Sequence, residues 1–500
     1  MNFCDVGGFT VSNKKSIGIN VLYNLLYQIL AIIVPLVTSP YVAHVLGPEK
    51  IGIDSYTSSI VFYFIIFAML GVNNYGNRTI AFNKNSKNLG KIFISIYIIQ
   101  LSMSIIMFVA YILYVHFIFK SFIIIAYIQS IQILSNMFDV TWYFYGKEEF
   151  KVTVLRNSII KLIGLIAIFV FVNSSNDLWK YSLINAAILL LGQIAIWPFL
   201  LKDIKLSLPS FTEIKVHFKP MIILFIPVLS ISIFTNLDKI MIGHFSSVLQ
   251  NGYYENANKI ISIPKALITS LGTVMLPRTA SLIASGDDKK STYYVRGTIL
   301  YTMILSSALM FGMVIVSKEF AILFWGKNFI TSGYLIALMS PAFVFSVIGN
   351  VVRTQYLIPR SKDKEYTLSL VLGSIVNILV NFLLIPFYGA IGAVVGTLIA
   401  EFVMTLSQLL AVKNELAVFN YILSGIPFFI NGAIMALFIV WIKNFFTINS
   451  FKDLLLLIIL GGIFYSLLSL ITIFTSSNLF LQDLKKDILV EVKKIFGYRV

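Results

Sequence analysis

A single cysteine, Cys4, occurs in 500 residues, which excludes both a disulfide framework and a thiolate metal site. Four histidines, without clustered ligands, a Ser-His-Asp arrangement or a glycine-rich phosphate loop, leave little material for an enzyme. Charge is scarce as well, since Asp, Glu, Lys and Arg make up 12% of the chain. Sizeable aqueous domains are therefore excluded. The N-terminus lacks the basic-apolar-small pattern of a cleaved signal, so the run at 17–41 is expected to remain as a span.

What the chain has instead is apolar sequence. Hydrophobic residues account for 58%, which defines an all-α polytopic membrane protein. A span needs roughly 20 apolar residues. Helices are expected near 17–41, 53–75, 92–114, 122–145, 153–172, 179–201, 220–243, 258–283, 296–317, 330–352, 367–387, 391–411, 422–442 and 453–474, fourteen in all. Lys and Arg fall unevenly about this model: 27 lie on the side of the two termini and 8 on the other. Because cytoplasmic loops carry that excess, both termini are expected inside. The net charge of +16 is thereby explained without nucleic acid. Trp142, Trp179, Trp197, Trp325 and Trp441 fall mostly near helix ends, where interfacial anchoring is expected.

About sixty residues recur without gaps 200 positions later: His44, Gly52, Ile60 and Arg78-Thr79 align with His244, Gly252, Ile260 and Arg278-Thr279. A second correspondence sets Tyr143, Gly146 and the charged loop before Phe150 against Tyr356, Pro359 and the charged loop before Tyr366. Two six-helix bundles follow, related by a pseudo-twofold axis along the membrane normal. The expected organisation is an N-terminal segment 1–16, bundles 17–201 and 220–411 joined by a linker 202–219, two further helices within 412–474, and a basic amphipathic tail 475–500 on the inner leaflet.

Charges inside spans carry the most information, because one at mid-depth costs on the order of 2.5–3.5 kcal/mol and so faces a cavity or a partner. Lys161 and Glu401 lie nearest mid-helix, with Asp139, Asp238, Lys239 and Lys265 shallower, and Arg78, Arg278 and Arg353 at inner helix ends. His44, His244, Asp54, Glu255 and Lys259 read as solvated or capping groups at the outer rim. Pro35, Pro40, Pro227, Pro264, Pro277 and Pro341 each remove a backbone donor and are expected to bend their helices, as a rocking transporter requires.

The segments "VTSPYVAHVLGPEKIGIDSYTSSI", "WYFYGKEEFK", "NLDKIMIGHFSSVLQNGYYENANKI", "VMLPRTAS", "QYLIPRSKDKEY" and "GAIGAVVGTLIAEF" resemble the polysaccharide transport family, bacterial flippases of O-antigen or capsule repeat units within the multidrug, oligosaccharidyl-lipid and polysaccharide exporter superfamily. The resemblance covers about residues 15–475. It implies two six-helix bundles plus two helices, and as cargo an oligosaccharide on undecaprenyl diphosphate moved from the inner to the outer leaflet of the cytoplasmic membrane. Asp238, Gly243, Tyr254, Pro277-Arg278, Gly146, Glu148 or Glu149, Pro359 and Glu401 stand where the family has similar residues. A cationic cavity would rest here on Lys161, Arg78, Arg278, Arg353, Lys239 and Lys265 as candidates for the diphosphate. Glu401, with Asp139 and Asp238 behind it, is the candidate for coupling to a proton or sodium ion. No cofactor is expected; the bilayer and polysaccharide-assembly machinery are the expected partners. Two rivals remain, a cation-coupled multidrug antiporter of the same fold and a membrane enzyme of polysaccharide assembly.

Overall fold

The structure, a computed structural model, describes residues 13–204 and 207–476, together with 481, 482 and 485. The expected tail therefore lies largely outside the described residues, as does most of the N-terminal segment. In hydrocarbon every backbone donor and acceptor must be satisfied within the segment, so apolar runs of this length fold as helices. The chain divides into two compact units, Met1–Ser232 and Ile233–Val500.

Unit 1 contains α1 (Asn13–Met69), α2 (Val72–Phe82), α3 (Leu89–Phe117), α4 (Ile123–Met137), α5 (Thr141–Gly146), α6 (Phe150–Phe171) and α7 (Leu178–Asp203). Helix α8 (Phe211–Phe245) carries the chain into unit 2, which adds α9 (Val248–Ala284), α10 (Asp288–Trp325), α11 (Ile330–Val352), α12 (Asp363–Tyr388), α13 (Ala390–Val412), α14 (Val418–Lys443) and α15 (Phe451–Thr475).

Among the described residues 13 runs are long and apolar enough to cross a membrane, the first being Ile33–Phe82 with 50 residues. At 1.5 Å per residue that run would measure about 75 Å, more than twice a bilayer core. It turns at Gly47, whose φ of 74° and ψ of 172° leave helical space. Tyr41 donates to Val172 O at 2.8 Å and Asp54 accepts from Ser182 at 2.5 Å, so both flanks of Gly47 meet the same end of the unit. One run thus holds two crossings, and fourteen spans result.

Three sequence expectations need correction. The span expected at 53–75 breaks at Leu70 and Gly71, with φ of 43° and 77°. The cause is tertiary: a Cβ on Gly71 would stand 2.6 Å from Met221 O and 2.9 Å from Phe225 N, so α8 packs directly on its backbone. The span expected at 122–145 is broken between α4 and α5. Finally, Trp142 and Trp325 are buried rather than interfacial: Trp142 stacks on Phe93 and donates to Gln100 Oε1 at 3.0 Å. The assigned helices run through Pro227, Pro264, Pro277 and Pro341 without interruption.

Packing repeats between the units. In unit 1, α4 packs on α1, α3 and α7, and α6 packs on α7; in unit 2, α11 packs on α9, α10 and α13, and α12 packs on α13. Helices α14 and α15 pack on each other and on α10.

Candidate functional site

The four elements α8, α9, α12 and α13 converge on Asp238, which is 1% exposed. Its Oδ2 accepts from the Tyr254 hydroxyl at 2.6 Å and from Thr397 Oγ1 at 2.8 Å. Its Oδ1 accepts from Asn381 Nδ2 at 2.6 Å, and that nitrogen lies 3.2 Å from Asn377 Oδ1. No Lys, Arg or His pairs with Asp238 among the described residues. The neighbouring Lys239, rotated by about 100° along the helix, pairs instead with Glu255 at 2.7 Å, and Glu255 also meets Lys259 at 3.4 Å. Glu255 is thus held in an ion-pair network rather than simply solvated. A buried carboxylate held only by neutral donors retains most of its desolvation cost, several kcal/mol. A proton or a small cation would relieve it.

One turn along α13 from Thr397 lies Glu401, 2% exposed, whose Oε1 is 3.0 Å from Lys265 Nζ on α9. Lys265 keeps 38% of its side chain exposed. The second glutamate oxygen, Oε2, has no protein hydrogen-bond partner among the described residues. Unit 2 therefore holds two buried carboxylates of different character, one ion-paired and one not.

Asp139 lies apart from both, with its own local hydrogen bonds. It sits in the break between α4 and α5, where Oδ1 accepts from Thr141 N at 2.9 Å and Thr141 Oγ1 at 2.6 Å, an Asx-type turn that leads into α5. Its carbonyl accepts from Gln100 Nε2 at 2.8 Å.

The basic candidates are dispersed. Arg78, exposed near the end of α2, lies 5.6 Å from the Phe82 ring centre. It lines a cavity of about 400 Å³ with Tyr75, Thr79, Phe82 and Pro220, and Tyr75 hydrogen-bonds His217 at 2.6 Å. Arg278 stacks on Tyr294 at 4.3 Å and donates to its hydroxyl, and Arg353 lies 5.8 Å from the Tyr366 ring centre. Lys161 is half-buried on α6 between exposed apolar residues, Ile159, Leu162 and Ile163.

Sequence reasoning missed a pair of matched clusters. Tyr143 donates to Asp203 Oδ2 at 2.6 Å and Lys147 pairs with the same carboxylate; Tyr356 donates to Glu415 Oε2 at 2.9 Å and Lys362 pairs with that carboxylate. The Tyr143–Tyr356 correspondence was the available signal. The acid partners lie about sixty residues further on, at unmatched residue types.

Residues 17–283, just over half the chain, match the family model described as "Polysaccharide biosynthesis protein". The chain is 24% identical over 384 residues to a "Putative O-antigen transporter" of Shigella dysenteriae, covering 76% of this chain and 96% of that protein. It is 23% identical over 414 residues to one of Escherichia coli strain K12, covering 81% and 98%. Among solved structures it is similar to the lipid II flippase MurJ in an inward closed conformation, with TM-score 0.76, 18% identity, and 91% and 98% of the two chains covered. A multidrug resistance MATE family transporter in an inward-facing conformation gives TM-score 0.60 at 15% identity, with 79% and 95% covered. With a family match over residues 17–283 and a fold shared along most of its length, this multi-pass membrane chain belongs to the polysaccharide biosynthesis protein family.

Proposed function

We propose that the protein is a flippase that carries lipid-linked oligosaccharide repeat units across the bacterial cytoplasmic membrane for O-antigen, capsule or a related surface polysaccharide. The observation that carries this reading is similarity to O-antigen transporters along 76% to 81% of the chain. The physical task fits. A diphosphate with polar sugars cannot cross hydrocarbon unaided, since the idealised cost of one small ion is of order 20 kcal/mol. Basic side chains facing a water-filled cavity lower that cost, while the polyprenyl chain stays in lipid.

Arg78 is the basic residue best disposed toward an anion, being exposed beside a cavity with no carboxylate paired to it among the described residues. Lys161, Arg278 and Arg353 are further sources of positive charge, and Lys239 and Lys265 pair with Glu255 and Glu401. Asp238 and Glu401 are the candidates for exchange of a proton or sodium ion. In this reading both termini are cytoplasmic, as the excess of Lys and Arg on their side supports.

The test is reconstitution. Proteoliposomes loaded with undecaprenyl-diphosphate oligosaccharide on one leaflet should show its appearance on the other, and cells lacking the gene should accumulate the same lipid. Drug hypersensitivity of the deletion strain, with normal lipid-linked sugar levels, would instead select the multidrug reading. Retained export with a change only in polymer length would select an assembly enzyme.

A further inference from the structure

Between Glu401 and the end of unit 2 that carries Glu415 runs a buried polar seam which helix packing alone does not require. On α13 it comprises Thr397, Glu401, Thr405 and Gln408, spaced four, four and three residues apart and hence on one face. Thr405 Oγ1 donates to Phe345 O at 2.8 Å, and Gln408 Nε2 donates to Ser369 Oγ at 3.0 Å. Gly349 on α11 makes room for both, since a Cβ there would stand 2.7 Å from Thr405 Oγ1 and 3.0 Å from Gln408 Oε1. Beyond α11 the chain forms a π-helical turn, Arg353–Leu357, a geometry often found at functional sites. It holds Gln355, which is 0% exposed.

Glu401 Oε2 and Gln408 Oε1 in the seam have no protein partner among the described residues, nor do Asn350 Oδ1, which faces Gly272 of α9, and both amide atoms of Gln355 in the π-turn that packs on α9 and α12. Each such group costs about 1–3 kcal/mol if left dry, and a polar niche with several partners is where ordered water resides. Glu401 and Gln408 are seven residues apart, about 10 Å along the helix, a span that a few waters bridge. The charged groups around the seam include Lys265 on α9, Asp238 on α8, and Glu415 with Lys362 and Arg360 at its end.

We propose that this seam is a hydrated path along which protons pass between Glu401 and the Glu415 end of unit 2, the cytoplasmic end on the distribution of basic residues. It rests on the reading of Glu401 as a coupling carboxylate. A hydronium at the Glu415 end passes its proton along the waters to Glu401 Oε2. The carboxylate becomes a neutral acid and its ion pair with Lys265 loses its countercharge; in the antiport cycle these steps run in reverse, a proton that reached Glu401 from the opposite face leaving Oε2 along the waters to the Glu415 end, so that one proton crosses per cycle.

Two measurements on the purified full-length protein test this. Radiolytic hydroxyl-radical labelling marks side chains beside bound water, and Met404, buried on α13 between Glu401 and Gln408, is the reporter. Met404 should be oxidised in the wild type and lose that labelling in Gln408→Met and Gln355→Met, which keep side-chain length but remove the polar atoms. Absence of labelling in the folded wild type would overturn the hydrated seam. In proteoliposomes the same two variants should lose the dependence of transport on a proton gradient, and Gln408→Asn should keep it. Full proton-gradient dependence in Gln408→Met and Gln355→Met would overturn the path while leaving Glu401 as coupling site. Dependence on sodium alone, or on no ion gradient in the wild type, would overturn the coupling reading and the proton path together.

Discussion

The Tyr356 hydroxyl donates to Glu415 Oε2 at 2.9 Å, as Tyr143 in the other unit donates to Asp203 Oδ2 at 2.6 Å. Each tyrosine follows the fourth crossing of its unit and each acid follows the sixth, so the bond ties together two helix ends that are distant in sequence. A hydrogen bond to an ionised group contributes about 1.5–3 kcal/mol where it is shielded and less where water competes. Asp203 is less exposed than Glu415. Tyr143→Phe should therefore lower the thermal midpoint in detergent more than Tyr356→Phe, by an amount equivalent to about 1–2 kcal/mol. Scanning fluorimetry of both variants checks the order, and equal midpoints for the wild type and Tyr143→Phe would remove the tie from the list of stabilising contacts.

Acid should loosen the second cluster. Lys362, followed by Tyr356, holds the Glu415 carboxyl below its ordinary value of 4.5. A group whose folded pKa is depressed contributes stability above its unfolded pKa and loses it as pH falls through the folded value. Stability from this cluster should thus be constant at neutral pH and decline only below about 4.5. Glu415→Gln should flatten that decline in melts recorded from neutral to acid pH.

The helices, their number and the 200-residue repeat were legible in the sequence because long apolar runs have one solution in a bilayer. The breaks at Leu70-Gly71 and at Phe138–Val140 were not. The first depends on how closely the α8 backbone approaches Gly71, and the second coincides with the turn that Asp139 makes with Thr141; neither has a local signature in an apolar run. Asp238 and Lys239 read as shallow residues on different faces of one helix; the structure sends the lysine to Glu255 and buries the aspartate among Tyr254, Asn381 and Thr397. Those three residues lie on three different helices, so no spacing along the chain announces the cluster. Glu401 was visible as a mid-span charge, but its partner Lys265 lies 136 residues away.

Orientation is open to direct labelling. In a Cys4→Ser background, single cysteines at Ser86 and Ser361 should react only with permeant reagents, and those at Ser174 and Asn328 with impermeant ones added to whole cells. These sites lie in connections between spans. The opposite pattern would invert the assigned topology and with it the direction of transport.

For both Arg78, at the cavity, and Lys161, on α6, the positive charge should matter more than its exact carrier. Arg78→Ala, and Lys161→Ala to a similar or smaller degree, should reduce lipid-linked oligosaccharide transport at unchanged protein levels. Arg78→Lys and Lys161→Arg should retain most of it, because the proposed role is to offset anionic charge. If Arg78→Ala transports as well as the wild type, the Tyr75–Arg78 cavity is not on the substrate path.

Driving force separates the two carboxylates. Moving about two negative charges outward through a potential negative inside is favoured by roughly 2.3 kcal/mol per charge per 100 mV, so voltage alone can bias the cycle. Asp238 has no countercharge among the described residues, whereas Glu401 has Lys265. Neutralising Asp238 by Asp238→Asn should therefore leave the fold intact, since its one oxygen still accepts from Tyr254 and Thr397 and its new amide nitrogen can donate to Asn381 Oδ1 once that side-chain amide turns over, while removing a position for an exchanged cation. Glu401→Gln should leave Lys265 without its partner, and the pair Glu401→Gln with Lys265→Met should recover the thermal stability that the single change loses. In proteoliposomes, loss of ion-gradient dependence with retained voltage response in Asp238→Asn alone would make Asp238 the coupling site. The same loss in Glu401→Gln, not repaired by Lys265→Met, would assign the role to Glu401. Unchanged ion dependence in both variants would leave the drive electrical and both carboxylates structural.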